Sequence, residues 1–398
     1  MHRFGPRRTP GIAASASRAG RLASACAAGA AAAVLVLAAC APTAPEASPS
    51  SSDPPPPASV PPAATAAPTP TSTPLPEIPR TVVAGLDAPW SMAVAGRSVL
   101  VSERDSARIL EVTGADRVRE VGTVAGVVHS DEGGLLGLAV AADPDGAALF
   151  VYSTGSDGNR VERYDLGGRP GAYTLGEPTT VIDGMPSGTH HNGGRIAFGP
   201  DGMLYIANGD TSDEPASQDP DSLAGKILRL TPEGGIPPDN PDPGSPVYSL
   251  GHRNVQGFAW AADGTMFASE FGLDHRDELN RIEPGGNYGW PYVEGTGGEP
   301  DGFIDPLQTW PPAAASPSGI AIVDDIIVIA NLRGRVLRTV PVADPGTSTE
   351  LYADEYGRLR DVTAGPDGTL WVLTNNTDGR GSPQDGDDRI VSLPVPRF

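Results

Sequence analysis

Two adjacent histidines, His190 and His191, run into a glycine pair in THHNGGRIAFGPDGMLYIAN (189–208), and Gly209-Asp210 follow. Only six histidines occur in 398 residues, so a pair is a concentrated supply of proton-transfer chemistry. Imidazole exchanges its proton near neutral pH and serves most often as a general base. The arginines are also grouped, in GHRN (251–254), ANLRGR (330–335) and GRLRD (357–361). A guanidinium stays charged and donates in a fixed fork, which suits it to oxyanions and carboxylates. A plain reading remains beside this one: Asp and Asn at strand ends satisfy turns, and a His-His pair can simply sit on a loop.

What must position these groups is a repeated β unit. An apolar run, a Gly- or Asp-containing turn and a second apolar or aromatic run recur at 92–104, 138–155, 196–210, 258–272, 320–334 and 362–376. Asp-Gly turns suit hairpins because positive φ is tolerated there, and the flanking runs are rich in β-branched and aromatic residues. Six copies predict an all-β fold, a six-bladed β-propeller of four-stranded antiparallel blades. A pair of stacked sheets would not account for a sixfold unit. Propeller sites lie on the loops around the axis, where the His and Arg segments fall.

The N-terminus speaks to location. Five arginines without an acidic residue precede an Ala/Val/Leu run ending in Leu37-Ala38-Ala39-Cys40. Residues 1–40 read as a signal peptide whose Cys40 resembles a bacterial lipobox lipidation site, with an ordinary signal peptide as the alternative. Residues 41–76 are Ala, Pro, Ser and Thr almost throughout, a composition that forms an extended linker rather than a core. The expected layout is an exported domain at 77–398, lipid-anchored to the outer face of the cell membrane. Cys26 and Cys40 are the only cysteines, so a metal in the domain would take oxygen or imidazole ligands. A net charge of −21 argues against nucleic acid as a partner.

With DEGGLLGLAV (131–140), EFGLDHRDELNRI (270–282) and GGNYGWPYVEG (285–295), these segments resemble, over about 80–397, the soluble pyrroloquinoline quinone-dependent aldose sugar dehydrogenases, also called glucose/sorbosone dehydrogenase-like proteins. The resemblance implies a six-bladed propeller that oxidises an aldose at C1 to the lactone, passing hydride to the quinone and electrons to an acceptor the sequence does not name. It makes His191 the catalytic base, Asp210 its orienting carboxylate and Arg253 the cation beside the reacting carbonyl. It assigns the cofactor to Glu132, Arg253, Asn254, Arg333, Arg358 and Arg360. Glu132 and Arg333 depart from the family's frequent Gln and Lys, and His190 from a frequent acid. The carboxylate of Glu132 would repel an anionic quinone unless it is neutralised. Arg358 and Arg360 pose a geometric problem, since alternate strand residues face opposite ways. For calcium the resemblance implies the carbonyls of Gly272 and Leu273 in the active site, and Glu278 with Tyr288 at a second, structural ion.

Two other functions stay open on sequence alone: a non-catalytic propeller binding a glycan or protein, and a calcium-dependent propeller lactonase. Trp310 is open too, between a sugar-stacking rim and the core. No Gly-rich loop opens a helix in a βαβ unit, which disfavours a nicotinamide cofactor.

Overall fold

A computed structural model describes residues 78–143 and 146–396. The expected signal peptide, its Cys40 and the expected linker lie outside the described residues. Within them the chain forms six four-stranded antiparallel sheets and no α-helix, only short 3-10 turns such as Glu214–Gln218. This is the six-bladed propeller expected from the repeats. Each repeat supplies the first two strands of a blade, for example Pro89–Ala95 with Ser98–Glu103.

Ring closure uses both ends of the domain. The sixth blade comprises Leu359–Ala364, Leu370–Thr374 and Arg389–Leu393, and its fourth strand is Arg80–Ala84 from the domain's start. Val83 there pairs with Ile390, and both are buried. The apolar faces meet between blades rather than in one central mass. Six clusters fill the six interfaces, with Leu100 against Leu149, Phe150 near Ile206, and Val101 near Leu373 among their members. Burying each such side chain contributes about 1.5–3 kcal/mol. Trp310 belongs to the cluster between the fourth and fifth blades, 7 % exposed, with the Arg338 guanidinium 4.8 Å from its ring centre. It is a core residue and not a rim for sugar.

The innermost strands hold the local irregularity that makes a site. Five of the six shift register near their first residues: between Pro89 and Ser91, Leu135 and Leu138, Val255 and Gly257, Pro317 and Ile320, and Leu359 and Asp361. A β-bulge bends its strand and re-aims a side chain. The residues inside three of these bulges, Trp90, Gln256 and Arg360, all line the same axial pocket. This also answers the geometric problem of Arg358 and Arg360. Arg358 precedes the strand, Arg360 sits in its bulge, and both side chains reach the pocket.

Close approach of inner strands fixes glycine at some bulges. A Cβ on Gly319 would enter the Asp361 carboxylate, and one on Gly257 would crowd the Ser318 carbonyl. Asp361 cannot yield cheaply, because it accepts from the Met92 N–H at 2.8 Å and from Arg195 at 3.2 Å, tying three blades together. Gly319→Ala should therefore destabilise the fold by about 1–3 kcal/mol, as overpacking typically does. A lowered urea midpoint with an unchanged denaturant slope is the expected result.

Candidate active site

His191 stands just ahead of the third blade's inner strand with φ at 57°, an unfavourable conformation for a non-glycine residue. The structure holds it there. Its N–H donates to Glu132 Oε2 at 2.8 Å, and its carbonyl accepts from the Thr211 N–H. The ring is set from both sides. Nδ1 lies 2.8 Å from Asp210 Oδ1, and Nε2 lies 2.7 Å from Arg253 Nη2. Arginine only donates, so Nε2 carries the lone pair and Nδ1 carries the proton given to Asp210. This is the tautomer a base needs. Asp210 is fully buried and is itself fixed by the Trp290 indole N–H at 2.8 Å.

Arg253 is positioned with equal care. Its backbone N–H donates to Glu270 Oε1 at 2.5 Å, its Nη1 to the Gly272 carbonyl at 2.6 Å, and its guanidinium lies 5.5 Å from the Trp290 ring centre. Glu270 is in turn bonded to His252, whose other nitrogen meets Ser249 Oγ at 2.8 Å. Ser249, His252 and Glu270 are thus ordered like a nucleophile, base and acid. Ser249 is completely buried, so the chain of bonds supports Arg253 rather than attacking a substrate.

Glu132, which holds the His191 N–H, is also a wall of a pocket lined by Arg104, Arg333, Arg358, Arg360 and Arg380, with Trp90, Gln256 and Asp378; His191 and Arg253 themselves lie outside its lining. Three of the cations are spent on carboxylates. Arg104 pairs with Asp105, Arg358 with Asp378, and Arg380 with Asp131 and Glu132. Arg333 is exposed and forms no ion pair among the described residues. Arg360 is buried, 4.4 Å from the Trp90 ring centre, and among the described residues it is bonded only to Gln256 Oε1 at 3.1 Å. Burial, then Arg195 and Arg104 beside it, pull Arg360 down to about 9. Its Nε finds no acceptor among the described residues, nor does that of Arg253. A buried cation with unmet donors favours an anionic group. A flat ligand carrying several carboxylates and carbonyl oxygens fits this donor set.

The other sequence-derived candidates fall as follows. Glu132 lines the pocket, and its charge is met by Arg380 and the His191 N–H, the neutralisation its position required. Asn254 is buried, with Oδ1 accepting from the Gly193 N–H and Gln256 Nε2. His190 is half-exposed and sits 3.2 Å from Asp131. Gly272, Glu278 and Tyr288 surround one small cavity together with Glu270 and Glu294, whereas Leu273 is 47 % exposed and does not line it. The Gly272 carbonyl already accepts from Arg253. No group of three or more His, Cys, Asp or Glu among the described residues is arranged to hold a metal. Glu278 accepts from the Gly295 N–H and from Asn280. Burial, with Glu270 nearby, pushes it up to about 8.

Arg104 is marked in the sequence only as the end of the first repeated hairpin, and Trp90, Gln256, Trp290, Asp378 and Arg380 are not singled out by it. Trp90 and Gln256 carry no motif signal beyond their place at the start of a repeat. Asp378 and Arg380 follow the Asn375-Asn376 strand end of the sixth repeat, and that position was the available clue.

Fold and site together define a propeller with an arginine-lined pocket next to an oriented histidine. The family model described as Glucose / Sorbosone dehydrogenase matches residues 86–382, and the chain belongs to that family of oxidoreductases. Among curated relatives it is 30 % identical to aldose sugar dehydrogenase YliI of Escherichia coli, over 74 % of this chain and 89 % of the relative. It is 31 % identical to quinoprotein glucose dehydrogenase B of Acinetobacter calcoaceticus, over 54 % and 52 % of the two chains. Among solved structures, the PQQ-bound aldose sugar dehydrogenase of Streptomyces coelicolor superposes with a TM-score of 0.74 at 48 % identity, covering 80 % of this chain and 98 % of that one.

The raised Glu278 carboxyl has a measurable sign. The folded state keeps its proton up to about pH 8, while the unfolded chain releases it near 4.5. Between those values the native state binds the extra proton, so stability falls as pH rises. In chelator, urea midpoints should decline across this window for the wild type. The decline should flatten in Glu278→Gln.

Proposed function

We propose that this chain is a pyrroloquinoline quinone-dependent sugar dehydrogenase that oxidises an aldose at C1 to the lactone, with His191 as the base. The observation that carries the reading is the meeting of an imidazole with a fixed acceptor lone pair and a cationic pocket with unspent donors. Arg333, Arg358 and Arg360 would hold the cofactor, with Trp90 against Arg360, and Arg253 would act from beside His191. Bound there, the quinone supplies a two-electron acceptor for the hydride leaving C1, which no side chain of the protein can offer.

The chain's own part is proton transfer and charge placement. The C1 hydroxyl delivers its proton to His191 Nε2, displacing the Arg253 Nη2 contact that occupies this lone pair. As the imidazole becomes imidazolium, Asp210 faces the new charge through Nδ1–H, and Trp290 keeps the carboxylate from turning away. Arg253, freed at Nη2 and still braced by Gly272, offers its fork to developing oxyanion character. Calcium stays in the same proposal only through the family resemblance: the described residues are not gathered as a ready metal site, and Glu278, with Glu270 and Tyr288 at the same small cavity, would have to draw together around the ion. Added calcium would then suppress the stability loss toward pH 8. The proposed location, a lipid anchor at Cys40 on the outer face of the membrane, rests on the N-terminal sequence, and the electron acceptor on the far side of turnover is unassigned.

Apo protein loaded with quinone and calcium, then assayed with a redox dye on an aldose panel, tests the activity. His191→Ala should retain quinone absorbance and lose turnover by roughly two to four orders of magnitude. His190→Ala should act mainly on apparent sugar affinity. Equal turnover losses in both would assign the pair to loop folding instead. For location, Cys40→Ser in the full chain should move the protein from the membrane fraction to the soluble exported fraction.

A further inference from the structure

Arg380 belongs to no motif and is supplied by the loop between Leu370–Thr374 and Arg389–Leu393, the second and third strands of the sixth blade. Its guanidinium lines the pocket while its Nη2 reaches Asp131 Oδ1 at 2.5 Å and Glu132 Oε1 at 3.3 Å, on the loop ahead of the second blade. The loop that carries it is built from one buried carboxylate. Asp378 Oδ1 accepts the Arg380 N–H at 2.9 Å, Asp378 Oδ2 accepts from Arg358 at 2.9 Å, and the Asp378 carbonyl takes Arg104 Nη2 at 3.4 Å. One residue therefore binds two guanidinium groups and the backbone that carries a third.

The two carboxylates facing Arg380 are not equivalent. Glu132 is held by its other oxygen, which accepts the His191 N–H, so it cannot leave. Asp131 is 45 % exposed at its side chain and has His190 as an alternative partner at 3.2 Å. Arg380 is also half-exposed and free to turn. Its contact with Asp131 is an exposed ion pair of the kind that contributes little to stability. A cofactor carboxylate in the pocket would offer it a charge-assisted bond in a drier setting.

We infer that Arg380 is a further ligand for the anionic cofactor, parked on Asp131 and exchanged onto a cofactor carboxylate when the pocket fills, while it keeps neutralising Glu132. Asp131 is then a competitor for Arg380, and its removal strengthens binding only when Arg380 is present. This inference rests on the quinone-binding reading of the pocket.

The test is equilibrium and stopped-flow binding of pyrroloquinoline quinone to the calcium-loaded apo protein, followed by tryptophan quenching, with no sugar or turnover involved. Arg380→Ala should weaken binding by about 10- to 100-fold, the usual worth of a hydrogen bond to a charged group, chiefly through faster release. Arg380→Lys should fall between. Asp131→Asn should tighten binding in the wild-type background and leave the Arg380→Ala background unchanged, a coupling that a double-mutant cycle reads directly. Thermal melts of the apo variants establish that each is folded. Arg380→Ala binding as the wild type does, or Asp131→Asn tightening both backgrounds alike, overturns the role of Arg380 and leaves the function standing. Failure of the folded wild type to bind the quinone overturns both.

Discussion

Like charges do not gather in a dry pocket without an arrangement that compensates them, and this constraint governs the site. Arg104, Arg195, Arg253 and Arg360 are buried, and the Arg358 side chain nearly so. Asp378, Asp361 and Glu270 hold them from behind, each binding backbone or guanidinium N–H groups from more than one segment. What these carboxylates leave uncompensated, above all at Arg360, is the affinity the pocket presents to a ligand. The charge balance is thus incomplete on the side that faces inward.

The fold meets the constraint with local departures from regularity. A flat inner strand would direct every second side chain away from the axis. The bulges at Trp90, Gln256 and Arg360 bring residues of three blades into contact, with the indole ring lying near two guanidinium groups. Glycine at Gly257 and Gly319 lets the neighbouring backbones close over these bends. The remainder of each blade is ordinary antiparallel sheet, and its role is to keep the bends in place.

Much of this was legible in the chain. The six hairpin units carried the fold, because alternation and Asp-Gly turns are local signals that survive without tertiary context. The family segments held His191, Asp210 and Arg253, which bond to one another, and Arg358 and Arg360, which line the pocket. Tertiary register was harder to read. That Arg358 and Arg360 both reach the pocket depends on a bulge, which one strand's sequence does not announce. Trp310 looked equally suited to rim or core until its neighbours from the next blade were known. Glu132 read as a liability beside an anion. Its partners, Arg380 from 248 positions later and the backbone of His191, exist only in the folded ring.

Closure of the ring by Arg80–Ala84 gives the sixth blade a special standing. Arg358, Arg360, Asp378 and Arg380 are all attached to that blade, so the wall with most of the cationic side chains is completed by the first and last strands of the domain together. Five finished blades would still present an open cleft where this wall belongs. Cofactor capture is therefore a checkpoint on the whole domain: only a molecule that has emerged to its last strand and clasped its beginning onto it offers the quinone a place to stay.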